Sequence, residues 1–183
     1  MRGFRASSLR EIAESIGLTH PAILHHFGSK EVLLAEVLKE RDRASEAFFE
    51  GREYGLVVLQ ALRDVVEQNE SQPGLVRLFT YLAAESTDPA HPAHDFFVDR
   101  YARVRSRLAD AFRHAQRHGQ MRADANPVHE AAAIMALQDG LQVQWLLDDS
   151  FSMLAAFDAF MEKFCEGLDI AMEVRPRSRT LTT

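Results

Sequence analysis

The first thirty residues concentrate side chains that bind anions. Their net charge is +2, so the acidic excess of the chain, whose formal total is −6, lies in the other 153 residues. The cations are Arg2, Arg5, Arg10 and Lys30, and the histidines among them are His20, His25 and His26. The acidic total argues against general coating of nucleic acid, and the local positive charge is by itself only a mild signal of a binding surface.

Metal and catalytic chemistry have less support. Zinc needs at least three ligands of the right type, which the pairs His91–His94 and His114–His118 do not supply alone. We therefore expect no metal and no cofactor.

No nucleophile elbow, phosphate loop or zinc-protease pair occurs. Cys165 lies in an apolar pattern typical of a core, and Asp139 and Asp148-Asp149 are predicted to be surface or helix-end acids. We predict that the protein is not an enzyme.

Composition limits the class of protein. The 183 residues are 46% apolar and include only nine Gly and six Pro. Ala and Leu outnumber Val, Ile and Thr, which favours helix over sheet. One cysteine excludes an intramolecular disulfide, no apolar run approaches the ~20 residues of a membrane span, and the start lacks the apolar stretch of a secretory signal. We predict an all-α, cytoplasmic protein with no membrane segment.

Cap and turn residues divide the chain into helices. Ser8 with Glu11 forms a capping box for a first short helix, which Gly17 ends. Thr19 caps a second short helix and Ser29 a third, longer one. The longer helices are predicted over residues 30–49, 54–69, 75–86, 93–118, 127–148 and 152–173.

Three residues of the first two helices have the spacing of a helix-turn-helix. Gly17 follows Ala13 by four residues, and Ile23 follows Gly17 by six. Ala13 is small where the helices cross, Gly17 makes the tight turn, and Ile23 fills the gap between the helices. A second helix of about eight residues suits the major groove of DNA. The remaining apolar cover is expected from Leu9, Ile12, Ile16, Leu18 and Phe27.

This segment resembles the TetR family of transcriptional regulators. The resemblance is carried by residues 3–13, by Gly17-Leu18-Thr19 and by His26-Phe27-Gly28-Ser29-Lys30-Glu31-Val32-Leu33. It implies an N-terminal helix-turn-helix DNA-binding domain over residues 1–49. A helical-bundle domain for ligand binding and dimerisation would follow over residues 50–174, and a tail over residues 175–183.

The resemblance also implies which residues contact DNA. The helix after Thr19 would be the recognition helix, with His20 and Ala22 facing bases. Phosphates would be contacted by Thr19, His25 and Lys30, and Ser8 would add a further phosphate contact. Base contacts select the sequence, whereas phosphate contacts position the protein.

Two features depart from the family pattern. Leu24 stands where the family usually has a Tyr that touches the DNA backbone, so one positioning contact is lost or replaced. Family members also have a helix before the Gly3-Phe4 position, whereas only Met1 and Arg2 precede it here. We expect that a preceding segment is missing from this sequence; otherwise the DNA-binding unit is impaired.

The last two predicted helices are apolar over more than one face. Such helices pack against a core on one side and a partner on the other, and in a TetR-like protein they form a four-helix bundle with a second copy. Ordinary core packing is the alternative. The predicted dimer residues are Ile134, Leu137, Leu141, Leu154, Phe157, Phe160, Met161 and Phe164.

A small-molecule pocket is predicted among aromatic, aliphatic and amide side chains of the helical domain. Gln138 and Gln142 form a polar pair inside an apolar helix, where they address either a polar ligand atom or the dimer partner. The candidate residues are Phe79, Leu82, Phe97, Tyr101, Met135, Gln138, Gln142 and Trp145.

The resulting prediction is a homodimeric repressor that binds an operator in double-stranded DNA and is released by a small-molecule effector. The alternative is a dimeric helical ligand-binding protein with impaired or lost DNA binding, and an enzyme is the third hypothesis. Sequence-specific, salt-dependent DNA binding separates the first from the other two.

Overall fold

A computed structural model describes residues 8–15, 17–52 and 55–170 of the chain. In these residues there are eight α-helices and no strand, so the all-α prediction is confirmed. None of the described helices is both long and apolar enough to cross a membrane. The expectations for Arg2 and Arg5, for a segment before Gly3, for Ile16 and for the tail 175–183 lie outside the described residues.

The helices follow the predicted order, with differences at their ends. Pro73 begins its helix two residues earlier than predicted, because first-turn amides have no helical partner to lose. The last helix ends at Gly167 and not at residue 173, since Asp169 has a left-handed backbone with φ 56°. The bounds are α1 Leu9–Ser15, α2 His20–Phe27, α3 Lys30–Glu46, α4 Val58–Glu70, α5 Pro73–Glu85, α6 His94–Arg117, α7 Pro127–Leu147 and α8 Met153–Gly167, with 3₁₀ turns at Ala47–Phe49 and Gly55–Val57.

The first three helices begin at the predicted caps. The Ser8 amide donates to Glu11 Oε2 at 2.8 Å, and the Glu11 amide donates to Ser8 Oγ at 3.2 Å, which completes the capping box. The side-chain oxygens of Thr19 and Ser29 each accept from the amide three residues on, at 3.3 and 3.2 Å. Local hydrogen bonds therefore set where these helices start.

Two apolar cores join the helices. The larger core links α4, α6, α7 and α8 around the fully buried side chains of Phe112, Ile134 and Phe157. The smaller core links α3 to α5 and α6 through Leu38 and Phe79. Because α3 contacts both α2 and α5, it connects the helix-turn-helix physically to the rest of the chain. These contacts do not test the predicted domain boundary at residue 49, which stays a prediction.

Candidate functional site

The helix-turn-helix is built as the spacing of its residues predicts. Ala13 is fully buried where α1 packs on α2, and Ile23 is the one buried residue of α2. Gly17 has a φ of 73°, and the Leu18 amide donates to the Ala13 carbonyl at 2.9 Å. Leu18 differs from the prediction, because the turn leaves its side chain 52% exposed and it adds little apolar cover.

The remaining face of α2 is open to solvent. His20, Ala22 and His25 are exposed, and Leu24 is 43% exposed. Thr19 is exposed at the helix cap. A helix that buries one side chain and exposes its opposite face has the form of an element that enters a groove of DNA.

Two further predicted DNA contacts flank α2. Lys30 is half-buried in the first turn of α3, and Ser8 is exposed with its hydroxyl in the capping box of α1. Arg10 forms an ion pair with Glu14 at 3.0 Å on α1, so part of the positive charge near α2 is compensated within the chain. Contact of these residues with DNA stays a prediction.

A second group of polar side chains lies inside the chain, between α3, α4, α6 and α7. Arg41 Nη2 donates to Asn69 Oδ1 at 2.5 Å, and the Tyr101 hydroxyl donates to Asp139 Oδ2 at 2.7 Å. These side chains line a cavity of about 40 Å³. We call this group the internal polar site; its members are Arg41, Asn69, Arg100, Tyr101, Asp139 and Gln142.

The two arginines of the internal polar site share an aromatic ring. The guanidinium carbons of Arg41 and Arg100 lie 5.3 and 4.6 Å from the ring centroid of Phe79. Arg100 Nε also donates to both carboxylate oxygens of Asp42, at 3.1 and 2.9 Å, and Arg103 approaches the same carboxylate at 3.5 Å. The site therefore holds three guanidinium groups close together.

Burial changes the acid–base behaviour of the internal polar site. Desolvation, followed by the like charge of Arg100, lowers the pKa of Arg41 to about 10. Burial likewise raises the pKa of Asp139 above its ordinary value. The pKa of Tyr101 is raised by burial and by its hydrogen bond to Asp139. All three shifts oppose charge inside the chain, as expected where water is largely excluded.

One buried polar atom of the internal polar site lacks a partner. Gln142 is 6% exposed, and within the described part of the chain its Oε1 accepts no hydrogen bond. Nearly all buried polar groups in proteins are paired, so an unpaired acceptor needs a specific reason.

A second cavity of about 80 Å³ adjoins the first and shares Arg41, Arg100 and Gln138 with it. The side chains that it adds are charged or polar in the majority, among them Asp42, Glu46 and Arg107. Its apolar additions are Phe49, Leu62 and Leu108. The combined space is therefore lined by charged and apolar side chains together.

The structure brings together only part of the predicted ligand pocket. Leu82 and Phe97 pack in the smaller core and do not line the 40 Å³ cavity, and Trp145 lines an open groove at the end of α7. The predicted residues that do line the cavity are Phe79, Tyr101, Met135, Gln138 and Gln142.

Sequence reasoning missed the charged members of the site. Asp139 was predicted to be a surface or helix-end acid, but it is partly buried and hydrogen-bonded to Tyr101. A carboxylate beside Gln138 in an otherwise apolar helix was the available signal. Arg41 and Arg100 lie in helices rich in charge, so nothing in the sequence distinguishes them from surface arginines.

The predicted dimer residues pack within the single chain. Ile134, Phe157 and Met161 are at most 1% exposed, and Leu141 and Phe164 are also buried. The half-buried members of the set pack against the same core; they are Leu137, Leu154 and Phe160. Contact of these residues with a second copy stays a prediction.

Two family profiles match the chain. The profile of bacterial regulatory proteins of the tetR family matches residues 1–37. The profile described as BetI-type transcriptional repressor, C-terminal, matches residues 57–168. Among curated proteins, the HTH-type transcriptional repressor KstR2 of Mycolicibacterium smegmatis is 44% identical over 39 residues. That match covers 21% of this chain and 19% of the relative, so it spans about a fifth of the relative's length.

Three solved structures share the fold. A TetR-family transcriptional regulator from Rhodococcus sp. has a TM-score of 0.71 at 23% identity over 88% of each chain. NalD of Pseudomonas aeruginosa, the secondary repressor of the MexAB-OprM multidrug efflux pump, has a TM-score of 0.67 at 23% identity over 91% of this chain and 89% of its own. FadR of Thermus thermophilus, a repressor solved with lauroyl-CoA, has a TM-score of 0.58 at 17% identity over 97% and 92%.

Proposed function

The chain belongs to the TetR family of transcriptional regulators, and on that premise we propose that it is a homodimeric repressor that leaves its operator when a small-molecule effector binds. The relatives KstR2 and NalD are both named as repressors, which supports this direction of regulation. A bacterial regulator of this kind acts on the chromosome, so we place it in the cytoplasm. Its proposed effect on transcription requires no catalytic step.

The exposed face of α2 is the observation that carries the proposal. This helix of eight residues buries only Ile23, and Thr19 caps it. The side chains at its amino-terminal end are exposed to solvent. In this proposal His20 and Ala22 face base edges in the major groove, where each base pair presents its own pattern of donors and acceptors. Leu24 presents an apolar surface there and supplies no hydrogen bond.

Phosphate contacts position α2 in the groove. Lys30 lies in the first turn of α3, where the helix dipole also favours an anion. Thr19, His25 and Ser8 would contact the DNA backbone on either side. These contacts act on any sequence, so they control affinity and its dependence on salt.

Operator binding needs two copies of α2. Successive major grooves on one side of DNA are about 34–36 Å apart, so a two-fold dimer places one recognition helix in each. We propose that the dimer forms along an exposed small-residue face of α7 and α8. On α7 this face comprises Ala132, Ala136, Gly140 and Val143, and on α8 it comprises Ala155 and Ala159.

The small-residue face is suited to close helix packing. Small side chains allow two helices to approach within about 8–10 Å of each other. Leu147 extends the same side of α7 and is 83% exposed in the single chain. The helix α7 is apolar on this face as well as on the face that packs in the core, and such helices are usually covered on both faces. This favours a second copy over solvent here.

Release from DNA follows from a shift between two conformations. An effector that binds better to a conformation with a different spacing of the two α2 helices lowers the population that fits DNA. The effect is limited by the difference in its affinity for the two conformations. We place the effector site in the helical domain.

Fluorescence anisotropy with DNA from upstream of the protein's own gene tests the proposal. We expect tight binding that exceeds binding to scrambled DNA and weakens as salt is raised. His20→Ala is expected to change sequence preference, whereas Lys30→Ala weakens binding to all sequences and reduces the salt slope by about 1.

Arg105→Ala removes an exposed cation on α6 and serves as the matched control, with no effect expected on DNA binding. If Lys30→Ala and His20→Ala behave like Arg105→Ala, α2 is not the recognition helix. Failure of the unaltered chain to bind any DNA would favour the alternative of a helical ligand-binding protein.

A further inference from the structure

We propose that the internal polar site binds the carboxylate of a small organic acid between Arg41 and Arg100. The proposal rests on the proposed function for the effect of binding, which is release of DNA. The site itself is argued from charge, hydrogen bonding and shape inside this chain.

One of the guanidinium groups of the internal polar site has no carboxylate at ion-pair distance among the described residues, so the site can accept an anion. Arg100 and Arg103 both approach the carboxylate of Asp42, at 2.9 and 3.5 Å. Among the described residues no carboxylate lies within ion-pair distance of Arg41, whose hydrogen bond goes to an uncharged amide. The carboxylates of Asp42 and Asp139 act on Arg41 from farther away, and burial raises the pKa of Asp139, which opposes its charged form. A buried charge is most stable when it is directly paired. A bound carboxylate would supply that direct partner, and the fork of the guanidinium matches its two oxygens.

The same geometry disfavours a cationic ligand. Cations are often held over aromatic rings, and Phe79 is the ring that the two arginines of this site share. Its neighbours are already the guanidinium groups of Arg41 and Arg100, at 5.3 and 4.6 Å from the centroid. A positively charged ligand would therefore meet two like charges.

Gln142 provides an independent sign of a ligand. Its side chain lines the 40 Å³ cavity together with Arg41, and its Oε1 is buried without a partner within the described part of the chain. An unpaired acceptor is satisfied by a donor, which a carboxylate lacks. A hydroxyl or N–H group beside the carboxylate of the ligand would donate to it.

The cavities limit the size of the acid. They measure about 40 and 80 Å³, whereas a cavity that binds benzene measures about 150 Å³. The larger one is lined by Leu62, Val65 and Leu108 among charged side chains that include Asp42, Glu46 and Arg107. A carboxylate with a very short apolar body fits this size, with its body directed toward the three aliphatic side chains.

Arg41 also connects the site to the DNA-binding unit. It lies on α3, eleven residues after Lys30, which is roughly 16 Å along the helix. A ligand that draws Arg41 toward α6 and α7 therefore acts on the helix that carries Lys30.

Isothermal titration of the full chain with propionate, 2-hydroxypropionate, propionamide and propylamine tests the site without DNA. We expect propionate to bind at least tenfold more tightly than propionamide, 2-hydroxypropionate to bind more tightly still, and propylamine not to bind. Equal affinity for acid and amide, a preference for the amine, or no binding of either acid would overturn the proposal.

Substitutions assign the roles of the two key residues. Arg41→Gln is expected to weaken propionate binding at least tenfold. Arg43→Gln, which changes an exposed arginine of the same helix paired with Glu40, is expected to leave it unchanged. Arg41→Lys keeps the charge and is expected to retain part of the affinity, which separates loss of charge from loss of folding. Unchanged binding by Arg41→Gln would overturn the proposal.

Gln142→Leu separates a ligand contact from a structural role. Since it removes an unpaired buried acceptor, we expect a higher Tm without ligand. We also expect 2-hydroxypropionate to lose its higher affinity relative to propionate. A lower Tm with that advantage intact would overturn the role of Gln142 in binding.

Anisotropy with operator DNA distinguishes the two proposals. If operator binding is tight and neither acid binds, the anion site fails and the proposed function stands. If the acids bind as expected and no DNA is bound, the anion site stands and the proposed function fails.

Discussion

Asp139 shows at the scale of a single residue how burial changes chemistry. It lies on α7, accepts the Tyr101 hydroxyl, and has a pKa that burial raises above 3.8. The folded chain therefore keeps a proton on Asp139 at pH values where the unfolded chain has released it. The contribution of Asp139 to the free energy of unfolding therefore falls as pH rises from 3.8 through the raised pKa. Above the raised pKa this contribution is constant.

Asp139→Asn removes this titration and keeps an acceptor for the Tyr101 hydroxyl. Relative to the unaltered chain, we expect the free energy of unfolding of the variant to increase as pH rises above 3.8. Urea denaturation over a series of pH values measures the difference. A difference that does not depend on pH would show that Asp139 titrates as it does in the unfolded chain.

Asp148→Asn is a control of opposite sign. Hydrogen bonds from Ser150 lower the pKa of Asp148, so its stabilising contribution is present above 3.8 and is lost as pH falls through the lowered pKa. We expect Asp148→Asn to have a lower free energy of unfolding than the unaltered chain above pH 3.8. This difference is lost only in acid, in the pH range where Asp139→Asn shows no gain in stability.

At the scale of the element, the turn between α1 and α2 depends on one backbone conformation. Gly17 has a φ of 73°, and a Cβ built there meets nothing within 4 Å. Gly17→Ala is therefore expected to cost about 1–2 kcal/mol through the backbone alone. Thermal or urea unfolding measures the cost.

Gly74→Ala is the matched substitution in the first turn of α5, where the backbone is helical and the space is equally open. We expect it to stabilise the chain by about 0.5–1 kcal/mol, because alanine loses less backbone freedom on folding. Similar effects of both substitutions would mean that the turn does not require a left-handed residue.

The contact between α4 and α8 depends on a buried ion pair. Arg63 binds both carboxylate oxygens of Asp158 at 2.9 Å, and the two side chains are 7% and 13% exposed. Arg63→Ala leaves a buried carboxylate without its main partner, which costs about 3–5 kcal/mol. Denaturant unfolding measures this loss.

The pair Arg52–Asp64 has a similar distance of 2.6 Å, but its side chains are 39% and 33% exposed. We expect Arg52→Ala to cost only about 0–1 kcal/mol, since water already solvates both charges. A cost for Arg63→Ala as small as this would indicate that water replaces the lost guanidinium.

At the scale of the whole molecule, function depends on how two copies meet. A charged residue at the small-residue face would be buried unpaired in the proposed dimer. Ala136→Arg is therefore expected to shift the chain to monomers at micromolar concentration without lowering helix content. Light scattering measures the mass, and anisotropy is expected to show weaker operator binding because only one recognition helix engages.

Ala102→Arg places the same charge on an exposed position of α6 and is expected to leave the dimer and its DNA affinity intact. A dimer that persists in Ala136→Arg would mean that another surface joins the copies. Loss of the dimer in both variants would point to a general effect of charge.

The sequence alone determined the local architecture of the DNA-binding unit. The capping box at Ser8, the turn at Gly17 and the burial of Ala13 and Ile23 were all predicted from spacing. These features rest on hydrogen bonds and backbone angles that act over three or four residues, or on packing between adjacent helices. Such interactions leave a direct record in residue order.

Only the tertiary structure decided which apolar and charged side chains are buried against one another. The periodicity of α7 and α8 identifies apolar positions such as Ile134 and Phe157, but it is the same whether a core or a partner covers them. Arg41 meets Asn69 across 28 residues and Arg63 meets Asp158 across 95. The burial of a charge depends on helices distant in the sequence, so residue order alone does not reveal it.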